Sequence, residues 1–282
     1  MTRRRSPSAL ARRAPLLLAV GVLLVIEIYP LVWMFLNSLK SRQEYLNLPA
    51  WAPPTEPRWD NYAIAWENGN LAVTLRNSIL ATVPSLALIL LIGVAAGFAL
   101  EVMVWRGRNA VLLVILAGIM VPGQMIILPL FTIYFQLHLT GTLLPLVITY
   151  VATGLPLTVF MMAGFFRAIP REVFEAATID GAGILRSYVL VAVPMVRNAI
   201  ITVAIVQFFL IWNDLLLALT FAGSKQLNTL QVGLLGFSAE YGALDYGPLF
   251  AAVTMTVVGI LVLYLFLNER IMKGLTAGSV KG

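Results

Sequence analysis

Long apolar runs separated by short polar segments dominate the chain. Six runs approach or exceed the roughly 20 residues that a helix needs to cross a hydrocarbon core. They are Pro15 to Leu36, Ile79 to Leu100, Ala110 to Phe135, Leu143 to Phe166, Ala199 to Phe221 and Phe250 to Leu267. The pattern predicts an all-α polytopic membrane protein with six transmembrane helices. Residues 1–14 are a basic N-terminal segment, 15–268 one transmembrane domain and 269–282 a tail, with no internal repeat or second domain. The first run, behind Arg3, Arg4, Arg5, Arg12 and Arg13, resembles a signal peptide. It lacks a small-residue cleavage site and further spans follow, so an uncleaved first helix is expected.

Within this pattern the third and fourth runs are interrupted by Pro122-Gly123, Pro129, Pro145 and Gly154-Leu155-Pro156. A proline frees a backbone carbonyl that lipid cannot satisfy, and broken helices are common in transporters. Ordinary packing kinks are the plainer alternative for any one proline. Two polar segments are long. Lys40 to Asn77 holds Pro49, Pro53, Pro54 and Pro57 with Trp51, Trp59, Tyr62 and Trp66, so its prolines argue against a regular helix. Gly223 to Tyr246, with Gly233, Gly236 and Gly242, reads as a loop with room for a short helix.

Composition fixes the solvent. Of 282 residues, 60% are hydrophobic and 11% charged, against roughly 25% charged in soluble domains. A net charge of +6 would suggest nucleic acid on a soluble protein, but here the basic residues lie between apolar runs. With a cytoplasmic N-terminus, fourteen of the nineteen Lys and Arg residues fall on the inside, the bias expected of inner-membrane proteins. Both termini are then cytoplasmic, and no nucleic-acid partner is expected. The chain has no cysteine and a single histidine, His138, which excludes thiol chemistry and a histidine metal cluster.

The most informative segment is the inside loop 167–195, between the fourth and fifth spans. Pro170 suits a helix start, and Glu172 and Glu175 fall where acidic groups favour the dipole. Ala176 and Ala177 offer a smooth face, Asp180-Gly181 signals a turn, and Ile184, Leu185, Tyr188 and Val189 pattern a second short helix that leads to Pro194. The expectation is a cytoplasmic helix–turn–helix too short to span the membrane.

This segment resembles the signature loop of binding-protein-dependent ABC importer permeases, whose pattern is Glu-Ala-Ala, a Gly four positions on, and an aliphatic-x-aliphatic-Pro end. Glu175-Ala176-Ala177, Gly181 and Val191-Ala192-Val193-Pro194 occupy those positions, with Val where the family usually has Ile and Leu. The Asp180-Gly181-Ala182 stretch, Trp212-Asn213-Asp214, and the Gly274-to-Gly282 ending resemble the carbohydrate branch, closest to the maltose-type permease with six spans. One departure is Glu101, where the family tends to small and basic residues.

The resemblance implies a coupling loop at which Glu175, Ala176, Ala177, Asp180, Gly181, Val193 and Pro194 contact an ATPase subunit. It also implies a second homologous permease, two ATPase subunits that use the ATP, an extracytoplasmic sugar-binding protein, and a place in the bacterial inner membrane. The chain itself then binds no cofactor or metal. It would form half of the pathway for a sugar or oligosaccharide. Gly223 to Tyr246 would reach the binding protein, and the C-terminal tail would approach the ATPase pair or simply be a free terminus.

Ionisable and amide groups within spans are expensive and need a reason. Gln124, Asn213 and Asp214 are candidates to line a polar route, with interhelical bonding as the alternative, as for Gln207 and Glu27. No phosphate-binding Gly loop with a Lys-Ser or Lys-Thr end is present, and no catalytic set argues for an enzyme. A permease for a non-sugar solute and a self-sufficient secondary transporter are the competing readings.

Overall fold

The computed structural model describes residues 7–240 and 246–277, so Arg3 to Arg5, Gly242 and the last five residues of the tail lie outside the described residues. Helices come in the order α1 (Pro7–Ser38), α2 (Arg42–Asn47), α3 (Asp60–Asn68), α4 (Leu71–Glu101), α5 (Arg108–Ala117), α6 (Gly123–Gln136) and α7 (Leu144–Arg167). Then follow α8 (Arg171–Ile179), α9 (Ile184–Ser187), α10 (Val193–Met195), α11 (Arg197–Trp212), α12 (Leu216–Phe221), α13 (Leu230–Glu240) and α14 (Tyr246–Ala277). Two compact units form, Met1–Gly69 with Gly236–Ile260, and Asn70–Leu235 with Leu261–Gly282.

In the first unit, residues 15–32 of α1 are exposed within the chain, while Asn37 and Ser38 at its end are buried. Its end is tied down by polar bonds. The Asn61 side-chain amide donates to the Ser38 carbonyl at 2.8 Å and the Lys40 carbonyl at 3.0 Å, and Ser38 Oγ lies 2.8 Å from Tyr62 Oη. Gly247 fits against these groups because a Cβ there would sit 2.5 Å from Asn61 Nδ2. Trp33 packs edge-on to Phe250, and Tyr45 stacks on Tyr246 at 4.1 Å. The proline-rich segment is flanked by short helices rather than wholly irregular. α2 opens with a capping box in which Ser41 and Glu44 satisfy each other's backbone donors. Desolvation works against the Glu44 carboxylate, but hydrogen bonds from the Thr55 hydroxyl and the Ser41, Thr55 and Glu56 amides bring its pKa down to about 2.

The second unit is built on α4 and α7, which approach closely through Gly93 and Gly97. A Cβ at Gly93 would lie 2.4 Å from Thr158 Cγ2, and one at Gly97 2.8 Å from Met162 Cβ and 3.2 Å from the Ala163 amide nitrogen. Helices in lipid gain little from hydrophobicity, so close backbone approach through small residues is what drives their association. α11 joins the pair through Gln207, which is buried and donates to the Gly154 carbonyl at 3.0 Å and Thr158 Oγ1 at 2.9 Å. For Gln207, interhelical bonding is therefore the observed role. Near the start of α7, Tyr134, Tyr150, Leu146, Ile211 and Phe221 form one core cluster. Near its end, Phe98, Met162, Phe166, Ala192, Val196 and Val203 form another.

Individually, Pro15–Ser38, Leu71–Glu101 and Leu144–Arg167 are long and apolar enough to cross a membrane. The predicted third span is Arg108–Met120 plus Gly123–Gln136, bent by 97° at Val121-Pro122. The fourth differs from expectation because it is continuous. Pro145 sits in the first turn of α7, where no N–H is needed, and the Pro156 ring is met by Gly118, whose missing side chain makes room for it. The fifth is broken at Asn213 to Leu215, between α11 and α12, and the sixth lies within α14. The second helix starts at Leu71, eight residues before the apolar run. His138 (φ 53) ends α6 in the left-handed conformation, with the Leu139 amide donating to the Tyr134 carbonyl at 3.0 Å. This gives the lone histidine a capping role.

Candidate functional site

The loop after α7 folds as a helix–turn–helix. Pro170, in extended conformation, caps α8, and Glu172 occupies the first turn. At the other end Asp180 is the C-cap and Gly181 has φ +80°. The Gly181 amide donates to the Thr178 carbonyl at 3.0 Å, and the Ala182 amide to the Ala177 carbonyl at 2.9 Å. That pair of bonds is the Schellman motif, which needs a left-handed residue where Gly181 stands. The chain reverses there into α9. The second helix is longer than its four α-helical residues, because a π-helical turn, Tyr188–Ala192, carries it into α10. A 74° bend at Val196 then leads into α11.

The faces of this element differ. Glu175, Ala176, Asp180, Gly181 and Pro194 are exposed, while Ala177 and Val193 are half-buried. Beside the exposed acidic residues stand apolar ones that a solvated loop would not present, Ile179 at 86% exposure and Leu185 at 72%. Such a patch marks an interaction surface. The opposite face is anchored. Phe98 of α4 packs against Phe166 at 5.7 Å, Phe174 of α8 at 6.0 Å and Tyr188 at 5.1 Å between ring centroids. A groove of about 690 Å³ runs between α8 and the end of α4, walled by Val102, Val104, Ile169, Phe174 and Glu175. At its rim Arg167 donates to Glu101 through Nε at 3.0 Å and Nη2 at 2.8 Å. Phe98, Phe174 and this ion pair had no signal in the sequence beyond the departure at Glu101.

The polar residues proposed from the spans do not form one cluster. Gln124 is exposed in the first turn of α6, and Asn213 is exposed with its side-chain amide bonded to its own helix at the Phe209 carbonyl, 2.9 Å. Asp214 is half-buried and better placed. It accepts from Tyr150 Oη at 2.8 Å and from the Ala218 amide at 3.0 Å, so it caps α12 across the break and ties it to α7. Tyr150, which the sequence did not single out, is its partner. Around them Ser78, Thr82, Trp212 and Thr229 line a small polar void. Among the described residues, Trp212 Nε1 and Thr229 Oγ1 are buried there without a hydrogen-bond partner.

Residues 70–270 match the family described as the binding-protein-dependent transport system inner membrane component. The chain is 36% identical to the diacetylchitobiose uptake system permease protein NgcG of Streptomyces coelicolor, over 91% of its own length and 85% of that protein's. It is 33% identical to the sulfoquinovosyl glycerol transport system permease protein SmoH of Agrobacterium fabrum, over 94% and 93%. It is 30% identical to the melibiose/raffinose/stachyose import permease protein MelC of Bacillus subtilis, over 90% and 91%. In fold it is similar to a chain of a bacterial ABC transporter involved in the import of the acidic polysaccharide alginate. There the TM-score is 0.78 at 19% identity, covering 95% of this chain and 99% of that one.

Proposed function

We propose, from the premise that the chain belongs to the family of binding-protein-dependent transport system inner membrane components, that it is a permease of an ATP-driven sugar importer. As a member of that family it is a multi-pass inner-membrane transport subunit, not an enzyme, and works with a solute-binding protein and an ATPase. The sugar reading is supported by relatives named for diacetylchitobiose, sulfoquinovosyl glycerol and melibiose, each covering nine-tenths of the chain or more. In this reading the chain forms half of the pathway, a second homologous permease the other half, and two ATPase subunits hold the ATP. The exposed stretch 15–32 of α1, which carries Glu27, is available to that second permease. Both termini and the 167–195 loop face the cytoplasm, in line with the distribution of Lys and Arg.

The observation that carries the reading is the α8–Gly181–α9 turn, polar and apolar on its exposed face and aromatic on its anchored face. Glu175, Ala176, Ala177, Asp180 and Gly181 meet the ATPase, while Val193 and Pro194 end the element. Pull-down of the tagged chain from native membranes in mild detergent should recover an ATPase, a second permease and a sugar-binding protein. Recovery of the stably folded chain alone would instead favour a self-sufficient transporter.

On the pathway, Asp214 is the residue assigned to sugar hydroxyls, with Gln124 and Asn213 at the exposed ends of their helices. Asp214→Asn keeps an acceptor for Tyr150 and Ala218, so a purely structural aspartate would tolerate it. Loss of a charged hydrogen bond to solute should raise the uptake KM about tenfold. An unchanged KM in an intact complex would leave Asp214 as a cap only.

A further inference from the structure

A carboxylate as the last residue of a helix stands against the dipole, where a basic side chain is favoured. Glu101 breaks that rule at the end of α4. Its surroundings compensate. Arg167, the last residue of α7, holds it in a two-bond fork at 3.0 and 2.8 Å, and the charges of Arg108 and Arg171 also act on it. Arg108 further donates to the backbone carbonyls of Glu101 at 3.3 Å and Met103 at 3.0 Å, capping the same helix end. The Glu101 side chain is 18% exposed and that of Arg167 68%. A local rule broken with this much compensation is a signature of function.

We infer that Glu101 and Arg167 are positioning residues of the coupling device, tying the end of α4 to the base of α8 so that the two move as one body. The inference rests on the importer reading of the 167–195 loop. Only Ala168, Ile169 and Pro170 separate Arg167 from α8. The groove beneath α8 leaves part of its inner side without packing, so Phe174 against Phe98 is a single aromatic foothold. A foothold of that kind allows α8 to rock. The ion pair at the groove rim removes that freedom by fixing the linker to α4, and the close Gly93–Gly97 packing passes the motion along α4 and α7 together.

The chain has no cysteine, so spin labels can be placed at Leu91→Cys on α4 and Glu172→Cys on α8, in the complete importer with cysteine-free partners in nanodiscs. The distance between the labels is compared in nucleotide-free protein and after trapping with ATP and vanadate. With the pair intact the distance should be the same in both states. In Glu101→Gln and in Arg167→Gln, ATP hydrolysis should persist while trapping shifts the distance by about 2 Å, the scale of helix shifts. The double variant should do no more than either single one, as for residues acting through one interaction. Arg167→Gln alters an exposed side chain and should fold even where Glu101→Gln does not. A distance that stays independent of nucleotide in Arg167→Gln would overturn the inference, as would one that already shifts with the pair intact. An importer recovered without an ATPase would overturn the importer reading itself, and this inference with it.

Discussion

Gly181→Val should abolish most transport while the chain still inserts and reaches the membrane at normal levels. The left-handed φ of +80° at this position costs a residue with a Cβ about 1–2 kcal/mol, and β-branching makes it worse. No atom lies within 4 Å of a Cβ built there, so the penalty is conformational and not a clash. The chain relieves it by giving up the bonds from Gly181 to Thr178 and from Ala182 to Ala177. That unwinds the end of α8 and re-aims α9, while every membrane helix is left as it was. Gly181→Asn is the informative companion, because asparagine tolerates the left-handed region and should retain most activity. Uptake of the sugar bound by the co-purified binding protein, set against ATP hydrolysis, reads the effect. We expect a loss of tenfold or more for valine, the scale of a typical coupling free energy. Full transport by the valine variant would remove the loop from the mechanism.

Gly97→Leu is expected to damage the protein by a different route, through packing. The new side chain would meet Met162 Cβ and the Ala163 backbone nitrogen at 2.8 and 3.2 Å from its first atom. Met162 Cβ is fixed to the backbone and the Ala163 nitrogen is part of it, so neither can rotate away and α4 and α7 must separate. Overpacking of this kind costs about 1–3 kcal/mol and occasionally more. Folded yield after size-exclusion chromatography and thermal stability in detergent should both fall sharply. Gly164 on α7 is the control. Nothing lies within 4 Å of a Cβ there, so Gly164→Ala should be neutral or stabilising, by up to about 1 kcal/mol of helix propensity. Equal behaviour of the two variants would mean that the close approach is not what holds the pair.

Which of these features could be read from the chain alone follows from the range of the interaction. The apolar helices Pro15–Ser38, Leu71–Glu101 and Leu144–Arg167 were legible because hydropathy is a local sum, and the α8 turn was legible because Pro170, Glu172 and Gly181 each obey a rule of helix ends. Gly93 and Gly97 carry a small-xxx-small spacing that was present in the sequence, but its partner face on α7 was not. Pairs such as Tyr150–Asp214 and Glu101–Arg167 join residues more than sixty positions apart, and neither member announces the other. Proline was a poor guide on its own. Pro122 marks a sharp break, whereas Pro156 lies within a continuous helix with its ring packed at Gly118. Leu185, which the sequence patterns into a short amphipathic helix, is 72% exposed.

The bend between α5 and α6 also governs how the chain can be made. α5 has 10 residues and α6 has 14, which at 1.5 Å per residue gives helices of about 15 and 21 Å. A hydrocarbon core is about 30 Å thick, so neither half can leave the insertion machinery for lipid by itself. The two are then expected to partition together, as a bent pair whose open carbonyls at the break need protein to cover them. The side chains that provide the cover for α5, Pro156 among them, belong to α7 and are synthesised later. Until α7 is made, the third span therefore lacks part of the protein surface that covers it in the folded chain.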